Sequence, residues 1–290
     1  MLILIYNRMF GQPPRFDQFK VPAHIEFTED RRRLKEASAV VFHLPTLRRL
    51  FLPHKPAGQI WVAWYMECEQ HYRRMRNARF MQQFELKMCY RQDADIMVSY
   101  IPKQLQELRP GPLPPVDHQH LVCSFISGRS DRSGRGDYIK ALARHMEVHQ
   151  YGKRGNRTIP DDQGRASKLN VLSKYRFTLA FENAIAPDYV TEKFYDPLLA
   201  GSVPVYLGAP NIREFAPVDG CYINAAEFSG PGELAGYLLQ LSRDESLYAR
   251  YLNWRQRPFN PQFRKLCGNL KGPGLEQLCD LVSARQSAGR

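Results

Sequence analysis

Residues 177–208 read FTLAFENAIAPDYVTEKFYDPLLAGSVPVYLG, and they hold two apolar runs on either side of a charged segment. The runs FTLAFEN (177–183) and VPVYLG (203–208) are hydrophobic almost throughout, which is typical of strands buried on both faces of a parallel sheet. Between them, Thr191 is a suitable helix N-cap, with Glu192 and Lys193 in the first turn. The stretch therefore predicts two parallel strands connected by a helix.

Seven further apolar runs repeat this pattern, and residues 132–145 and 231–242 have helical spacing. These runs predict the strands LILIY (2–6), AVVFHL (39–44), QIWVAWYM (59–66), ADIMVSY (94–100), LVCSFIS (121–127), EVHQYG (147–152) and CYIN (221–224). Because strands and helical segments alternate along the chain, the sequence indicates an α/β fold.

A proline-rich segment divides the chain into two parts. Residues 109–117, RPGPLPPVD, contain four prolines in nine residues, which suits an extended linker. At 290 residues the chain is also long enough for two domains. We therefore expect an N-terminal domain at 1–108, a C-terminal domain at 118–260 and a tail at 261–290 with a helix near residues 275–282.

Composition and charge narrow the class of protein. Hydrophobic residues at 43% and aromatic residues at 12% exclude a disordered chain. The run MLILIY at residues 1–6 is far shorter than the ~20 residues of a membrane span and lacks the features of a signal peptide, so no transmembrane segment is expected. The net charge of +12 points to an anionic partner, which leaves nucleic acid, a membrane surface and a phosphorylated small molecule open. No zinc-finger spacing, basic heptad region or RNP-like motif supports nucleic acid.

The six cysteines contain no CxxC pair and do not form a dense framework. Because they lie mostly in apolar stretches, we expect buried free thiols, with a Cys267–Cys279 bridge left open for an oxidising compartment.

Charged residues just beyond the carboxyl end of a strand are the candidates for function, because ligands of open parallel sheets bind at that edge. Glu67 follows the run WVAWYM; it is either a solvated carboxylate or, being partly desolvated by its neighbours, a general base. Glu69, two residues on, is a second candidate for that role. Arg135 follows LVCSFIS within a segment, 129–168, that has ten Lys or Arg against five Asp or Glu. Such a segment is either a basic solvated loop or a lining for phosphate.

Lys193 is unfavourable for an isolated helix, because cations destabilise a helix N-terminus. The position becomes favourable when a bound phosphate lies between the lysine and the helix end, and Glu192 beside it suits sugar hydroxyls. Pro197 lacks a backbone donor, so we expect a kink or a helix that becomes regular only after it.

The same stretch resembles the donor-binding signature of the α1,3/1,4-fucosyltransferases, glycosyltransferase family 10. The elements Phe-Glu-Asn, Tyr-Val-Thr-Glu-Lys, Gly-Ser-Val-Pro-Val and Leu-Gly-Ala-Pro stand in the family's order over about forty residues. WYMECEQ, CYRQDADIMVSY and SGRGDYIKALARHMEVHQYG resemble other blocks of the family, so the resemblance covers roughly residues 59–225.

The resemblance implies a GT-B fold of two facing Rossmann-like domains with parallel sheets, the N-terminal one on the acceptor side. It also implies an inverting fucosyltransferase that transfers L-fucose from GDP-fucose to a hydroxyl of an acceptor oligosaccharide or glycoconjugate. The resemblance implies an α1,3 or α1,4 linkage and a reaction that needs no divalent metal. Residue by residue, Glu67 matches the family's catalytic base, and Arg135 and Lys193 match its phosphate ligands. Tyr189 and Glu192 match residues that contact the donor, and Glu182 and Asn183 belong to the same donor-side block as these two.

The sequence departs from the family's pattern in some places, and two rival functions stay open. WYMECEQ lacks the Ser-Pro that often follows the base in animal members. We also expect no stem or anchoring helix, unlike in Golgi members, which favours a bacterial-type enzyme in the cytoplasm and allows peripheral association with the inner face of a membrane. The rivals are a GT-B enzyme that uses another nucleotide sugar, such as GDP-mannose, and a basic nucleic-acid-binding α/β protein.

Overall fold

The computed structural model describes residues 1–48, 52–107, 111, 118–270 and 272–288. Within it the chain divides into two compact units, Met1–Ser99 with Asn269–Arg290, and Tyr100–Gly268. The predicted linker, 109–117, lies outside the described residues except for Gly111, whose N–H donates to the carbonyl of Arg255 at 2.8 Å.

The first unit is built on a six-stranded parallel sheet with the strand order β2-β1-β3-β4-β5-β6. The strands are β1 (Leu2–Ile5), β2 (Glu26–Thr28), β3 (Ala39–His43), β4 (Ile60–Tyr65), β5 (Leu86–Cys89) and β6 (Ile96–Met97). A short helix, α1 (Ala78–Met81), precedes β5, and 3-10 turns occupy Phe16–Gln18, Arg31–Lys35, Leu44–Thr46, Glu69–His71 and Arg73–Arg76.

The chain's last helix completes the core of the first unit. This helix packs Leu275, Leu278 and Val282 against Ile3, Val62 and other buried residues of the sheet. Every residue of Ala39–His43 is buried, as expected for a central parallel strand covered on both faces.

The second unit contains a five-stranded parallel sheet with the order β11-β10-β9-β7-β8. Its strands are β7 (His120–Phe125), β8 (His149–Tyr151), β9 (Tyr175–Phe181), β10 (Val203–Leu207) and β11 (Ile223–Asn224). The remaining helices of the chain are α2 (Lys103–Gln106), α3 (Arg135–Leu142), α4 (Arg165–Leu172), α5 (Glu192–Ala200), α6 (Ile212–Phe215), α7 (Pro231–Arg243), α8 (Glu245–Leu252), α9 (Pro261–Asn269) and α10 (Gly274–Ala288), with 3-10 turns at Ala225–Glu227 and Asn253–Gln256.

Both faces of this second sheet are covered. A large core joins Ile139 and Leu142 of α3 and Leu234 and Leu238 of α7 to the sheet. A smaller cluster of Cys123, Leu172 and Tyr175 packs between the sheet and α4. The burial of β9 and β10 on both faces explains why their sequences are hydrophobic almost throughout.

Each of the nine apolar runs that were predicted as strands contains a β-strand of the structure, and the α/β prediction is confirmed. The strands β2 and β5 were not predicted, because β2 has only three residues and the exposed Lys87 interrupts β5. The prediction for Pro197 was wrong in one respect: α5 is helical from Glu192 onward and includes the proline, so the helix does not begin after it.

Among the described residues, no helix combines the length and the apolar character that a membrane crossing requires. All six cysteines are free, Cys267 and Cys279 included, and five of them are buried.

Candidate active site

The N-terminus of α5 is the centre of the candidate site. Thr191 is its N-cap, as predicted, and its hydroxyl accepts a hydrogen bond from the backbone N–H of Lys193 at 3.4 Å. The free N–H groups of a helix's first turn attract anions, and the helix dipole adds to this attraction. Thr191, ten residues after the end of β9, thus caps the start of α5, and this helix end is the candidate position for an anion.

Glu182 is hydrogen-bonded to this helix end. It is fully buried, and its two carboxylate oxygens accept hydrogen bonds from the backbone N–H of Thr191 at 2.7 Å and from the Thr191 hydroxyl at 2.9 Å. Burial raises the pKa of Glu182, and the charge of Lys193 opposes the shift. Glu182 therefore positions the N-cap of α5.

Lys193 lies among three oxygens at the helix start. Its Nζ atom is 3.0 Å from the Thr191 hydroxyl, 3.2 Å from Glu192 Oε1 and 3.5 Å from Glu182 Oε2. Burial by itself lowers the pKa of Lys193, but the two carboxylates outweigh it and raise the pKa overall. Burial likewise works against the charged form of Glu192, and the Lys193 and Lys168 charges lower the pKa of Glu192 overall. Lys193 and Glu192 are thus held as a charged pair.

Arg135 is the first residue of α3, and only 2% of its surface is exposed. Its guanidinium donates to the carbonyls of Phe181 at 3.0 Å and Ser130 at 3.3 Å. Burial lowers the pKa of Arg135 from its ordinary value, although the charges of Asp131 and Glu182 raise it. Arg135 is therefore a buried cation anchored to the end of β9.

The loop before α3 is fastened to the end of β9 by consecutive carbonyl groups. The carbonyls of Phe181, Glu182 and Asn183 accept hydrogen bonds from Arg135 Nη1, the Ser133 hydroxyl and the Arg132 N–H, at 3.0, 2.6 and 2.6 Å. These bonds fasten the arginine-bearing loop to the strand end, and the Glu182 carboxylate joins the start of α5 to the same corner.

Two buried polar atoms at this corner have no protein partner among the described residues: Arg135 Nε and Asn183 Oδ1. Buried polar atoms are nearly always hydrogen-bonded, so each such atom calls for an explanation, such as a ligand or a bound water. Tyr189, also predicted as a donor contact, is 2% exposed, and its carbonyl accepts from the Tyr206 hydroxyl at 3.4 Å.

A cavity of about 620 Å³ opens beside Glu192. Its wall includes Arg165, Lys168 and Asp196, none of which was predicted as a site residue. Asp196 is 1% exposed; its Oδ1 accepts from Arg165 at 2.8 and 3.0 Å, and its Oδ2 from Lys168 at 2.8 Å. The spacing of Asp196, four residues after Glu192 in one helix, was the signal that could have placed both on the same face.

Glu67 lies in the first unit, two residues beyond β4. Burial raises the pKa values of Tyr72 and of the buried Cys68 thiol, and the negative charge of Glu67 raises both further. The Glu67 carboxylate therefore lies near both groups. Glu69 is engaged differently: it accepts a hydrogen bond from the Tyr90 hydroxyl and lies 3.8 Å from Arg91. Glu69 is thus tied to two protein partners.

The predicted site residues fall into two groups. The end of β9 and the starts of α3 and α5 bring together those of the second unit, namely Arg135, Glu182, Asn183, Tyr189, Glu192 and Lys193. Glu67 belongs to the first unit. Within the described ranges, no group of three His, Cys, Asp or Glu side chains is placed to hold a metal ion.

Two family models match the chain and together cover most of it. Residues 116–289 match the model described as glycosyltransferase family 10 (fucosyltransferase) C-term, and residues 1–101 match the model described as fucosyltransferase, N-terminal.

Curated relatives and solved structures agree with these models. The alpha-(1,3)-fucosyltransferase 7 of Bos taurus is 36% identical over 269 residues, covering 88% of this chain and 75% of the relative. The 4-galactosyl-N-acetylglucosaminide 3-alpha-L-fucosyltransferase FUT6 of Homo sapiens is 34% identical, covering 88% and 73%. A crystal structure of an alpha1,3-fucosyltransferase with GDP-fucose has a TM-score of 0.59 at 16% identity, covering 86% of this chain and 80% of that one. A second crystal structure, with GDP, has a TM-score of 0.54 at 13% identity, covering 96% and 89%.

Proposed function

Because this chain belongs to glycosyltransferase family 10, the fucosyltransferases, we propose that it transfers L-fucose from GDP-fucose to a hydroxyl of an acceptor glycan in α1,3 linkage. The protein is a glycosyltransferase with an α/β fold of the GT-B class and two parallel sheets. The linkage is supported by the names of its relatives, which describe an alpha-(1,3)-fucosyltransferase and a 3-alpha-L-fucosyltransferase. An α1,4 linkage is the alternative.

The observation that carries the proposal is the start of α5. Thr191 caps a helix whose first turn holds Glu192 and Lys193, and Glu182 fixes this cap from a fully buried position. We place the diphosphate of GDP at this helix end, because the dipole of α5 and the Lys193 ammonium both favour an anion there. The Nε atom of Arg135, which has no partner in the described part of the chain, supplies a further donor.

The nucleoside part of the donor is assigned to the cavity beside Glu192. Its volume of about 620 Å³ lies within the range of small-molecule sites, about 300–1,000 Å³. Glu192 lines this cavity, and its carboxylate oxygens can accept hydrogen bonds from sugar hydroxyls. Tyr189 and Asn183 are proposed donor contacts at the same corner.

The reaction follows from these roles. Glu67 accepts the proton of the acceptor hydroxyl while the hydroxyl oxygen attacks the anomeric carbon of fucose, and the bond from that carbon to the GDP oxygen breaks. Attack on the face opposite to GDP inverts the configuration. The negative charge that develops on GDP is stabilised by Lys193, Arg135 and the N-terminus of α5.

We further propose that transfer does not require a divalent metal. The support is the placement of two cations, Lys193 and Arg135, at the proposed diphosphate position, where they supply the positive charge that the leaving group needs. Turnover measured in EDTA should stay near its value in buffer. Loss of turnover in EDTA that manganese restores would contradict this proposal.

The donor assignment is tested by thermal unfolding with GDP-fucose, GDP-mannose, GDP, UDP-galactose and a short RNA. A ligand at about 100 times its Kd adds about 2.7 kcal/mol to the free energy of unfolding. GDP and GDP-fucose should raise the melting temperature, and UDP-galactose should not. Stabilisation by GDP-mannose that exceeds that by GDP-fucose would favour the rival nucleotide sugar, and stabilisation by RNA alone would favour nucleic-acid binding.

We propose a cytoplasmic location with peripheral association at the inner face of a membrane. The net charge of +12 supports it, because basic surfaces are attracted to anionic lipid headgroups. Sedimentation with vesicles of phosphatidylserine and phosphatidylcholine, compared with pure phosphatidylcholine, tests the association. Equal recovery in the supernatant in both cases would contradict it.

A further inference from the structure

The wall of the 620 Å³ cavity carries three carboxylates, and two of them are neutralised by protein cations. Glu192 pairs with Lys193 at 3.2 Å, and Asp196 is bound by Arg165 and Lys168. The third carboxylate, Asp162, has no cation within 4.0 Å among the described residues. It accepts one hydrogen bond, from the Gly164 N–H to Oδ1 at 2.8 Å.

Asp162 is exposed and lies on the loop between β8 and α4, beside Thr158 and Ile159, which line the same cavity. The hydrogen bond from Gly164 orients its carboxylate, and no described protein group occupies Oδ2. The cavity wall therefore offers a ligand both a carboxylate with free acceptor positions and an apolar residue, Ile159.

An ionised carboxylate is an acceptor only, so its best partner presents two donors side by side. Guanine has this arrangement, because N1–H and the exocyclic N2–H₂ lie on one edge of the ring. Adenine presents an acceptor at N1, and uracil places a single N–H between two carbonyl oxygens. A carboxylate in the base position thus favours guanine, and hydrogen bonds to a charged group are the stronger ones.

We propose that Asp162 binds the Watson–Crick edge of guanine and selects GDP-linked donors over other nucleotide sugars. This inference rests on the proposed function and deepens it by naming the residue that recognises the base. Gly164 holds the carboxylate in place, and the side chain of Ile159 contributes apolar surface beside the ring.

The experiment measures the affinities of GDP, xanthosine diphosphate (XDP), ADP and UDP for the wild type, for Asp162→Asn and for Asp161→Asn. Asparagine places an N–H donor where the carboxylate has a lone pair, and xanthine carries a carbonyl oxygen where guanine has its amino group. In Asp162→Asn, GDP affinity should fall by roughly 10- to 100-fold, and XDP affinity should rise above that of GDP. The Asp161→Asn control, which changes the neighbouring aspartate outside the cavity wall, should keep the wild-type order of affinities.

The gain of XDP binding keeps the test independent of folding, because a misfolded variant cannot acquire a new ligand. If Asp162→Asn weakens GDP, ADP and UDP equally without a gain for XDP, the residue contacts ribose and the inference is overturned. If the wild type binds GDP but Asp162→Asn keeps the wild-type preference for GDP over XDP, the inference fails while the donor assignment stands. If the wild type binds GDP no better than ADP or UDP, both fail.

Discussion

The carboxylate of Glu182 accepts two hydrogen bonds from a single residue, one from the backbone N–H of Thr191 at 2.7 Å and one from its hydroxyl at 2.9 Å. Both residues are buried, and the contact joins the end of β9 to the beginning of α5. The position of the helix start, and of Lys193 within it, therefore depends on one carboxylate that no ligand needs to touch.

Substitution of Glu182 by Gln should destabilise the protein and weaken donor binding. The amide retains one acceptor oxygen but turns an N–H₂ group toward the second Thr191 donor, and it removes a carboxylate that lies 3.5 Å from Lys193. Leaving a buried polar group unpaired costs about 1–3 kcal/mol of unfolding free energy. Urea denaturation and titration with GDP measure the two effects.

Glu233 provides a matched control for Glu182. Its carboxylate also accepts from the N–H and the hydroxyl of one residue, Ser229, but it lies on the surface at the start of α7. Glu233→Gln should cost no more than about 1 kcal/mol and leave GDP affinity unchanged. If Glu182→Gln and Glu233→Gln changed stability and GDP affinity equally, the burial of Glu182 and its contact with Lys193 would contribute nothing to either property.

Much of this corner was predictable from the sequence, because the signals were local. The apolar runs at 177–183 and 203–208 predicted β9 and β10, and Thr191 was identified as the N-cap from its residue type and its place before the helix. The family resemblance placed Glu182 and Lys193 in the donor-binding signature and matched Arg135, from a separate block, to a phosphate ligand.

The pairings across long stretches of sequence could not be predicted. Asp196 is held by Lys168, which lies 28 residues earlier in another helix, and no local pattern connects the two. The burial of Arg135 was also missed, because its glycine- and serine-rich surroundings suggested a solvated loop. The three consecutive carbonyls at the end of β9 that receive this loop depend on tertiary packing.

Lys193 and Arg135 should respond differently to substitution. Lys193→Met keeps the aliphatic stem but removes the ammonium, so GDP affinity should fall by about 10-fold or more, the value of one charged hydrogen bond. Arg135→Lys keeps the charge but cannot donate to the Phe181 and Ser130 carbonyls together, so it should lower unfolding free energy by about 1–3 kcal/mol. Calorimetric titration and urea denaturation of both variants give the comparison.

Lys140 of α3 is the control for this pair, since its side chain is 78% exposed. Lys140→Met should change neither GDP affinity nor stability by more than about 0.5 kcal/mol. If Lys193→Met unfolds the protein while its residual folded fraction binds GDP normally, Lys193 is only a partner for Glu182 and Glu192.

His43 should make the protein sensitive to acid. It is fully buried at the end of β3, and burial lowers its pKa to about 4. As the pH falls, the imidazole of His43 is therefore protonated near pH 6.5 in the unfolded state but only near pH 4 in the folded state. The resulting stability is present above pH 6.5 and is lost as the pH falls toward 4, by on the order of 3 kcal/mol in total.

The substitution His43→Asn tests this contribution, because its amide can contact Thr46 as the Nδ1 atom does at 2.8 Å. The variant should be less stable at pH 7 but should lose less stability between pH 6.5 and 4 than the wild type. Urea denaturation at three pH values measures the slopes. The exposed His24 is the control: His24→Asn should keep the wild-type slope, and a parallel slope for His43→Asn would refute the assignment.

Glu67 carries the proposed chemistry, and its neighbour Glu69 provides the comparison. The two carboxylates are two residues apart, but Glu69 is hydrogen-bonded by Tyr90 and lies 3.8 Å from Arg91. The contacts of Glu69 with Tyr90 and Arg91 fix the segment after β4, whereas the family resemblance matches Glu67 to the general base. The two substitutions should therefore divide between turnover and stability.

Glu67→Gln keeps size and hydrogen bonding but cannot accept a proton, so turnover should fall by roughly 10²–10⁴-fold. GDP affinity should stay within a few-fold of the wild type, because the proposed donor contacts, Lys193 among them, belong to the second unit. Glu69→Gln should instead lower the melting temperature, since it weakens the ion pair with Arg91, and it should retain most turnover. Initial rates of fucose transfer and thermal unfolding of both variants decide the matter. If Glu69→Gln abolishes transfer at unchanged stability, the base is Glu69; if both variants transfer fucose normally, the proton is accepted elsewhere.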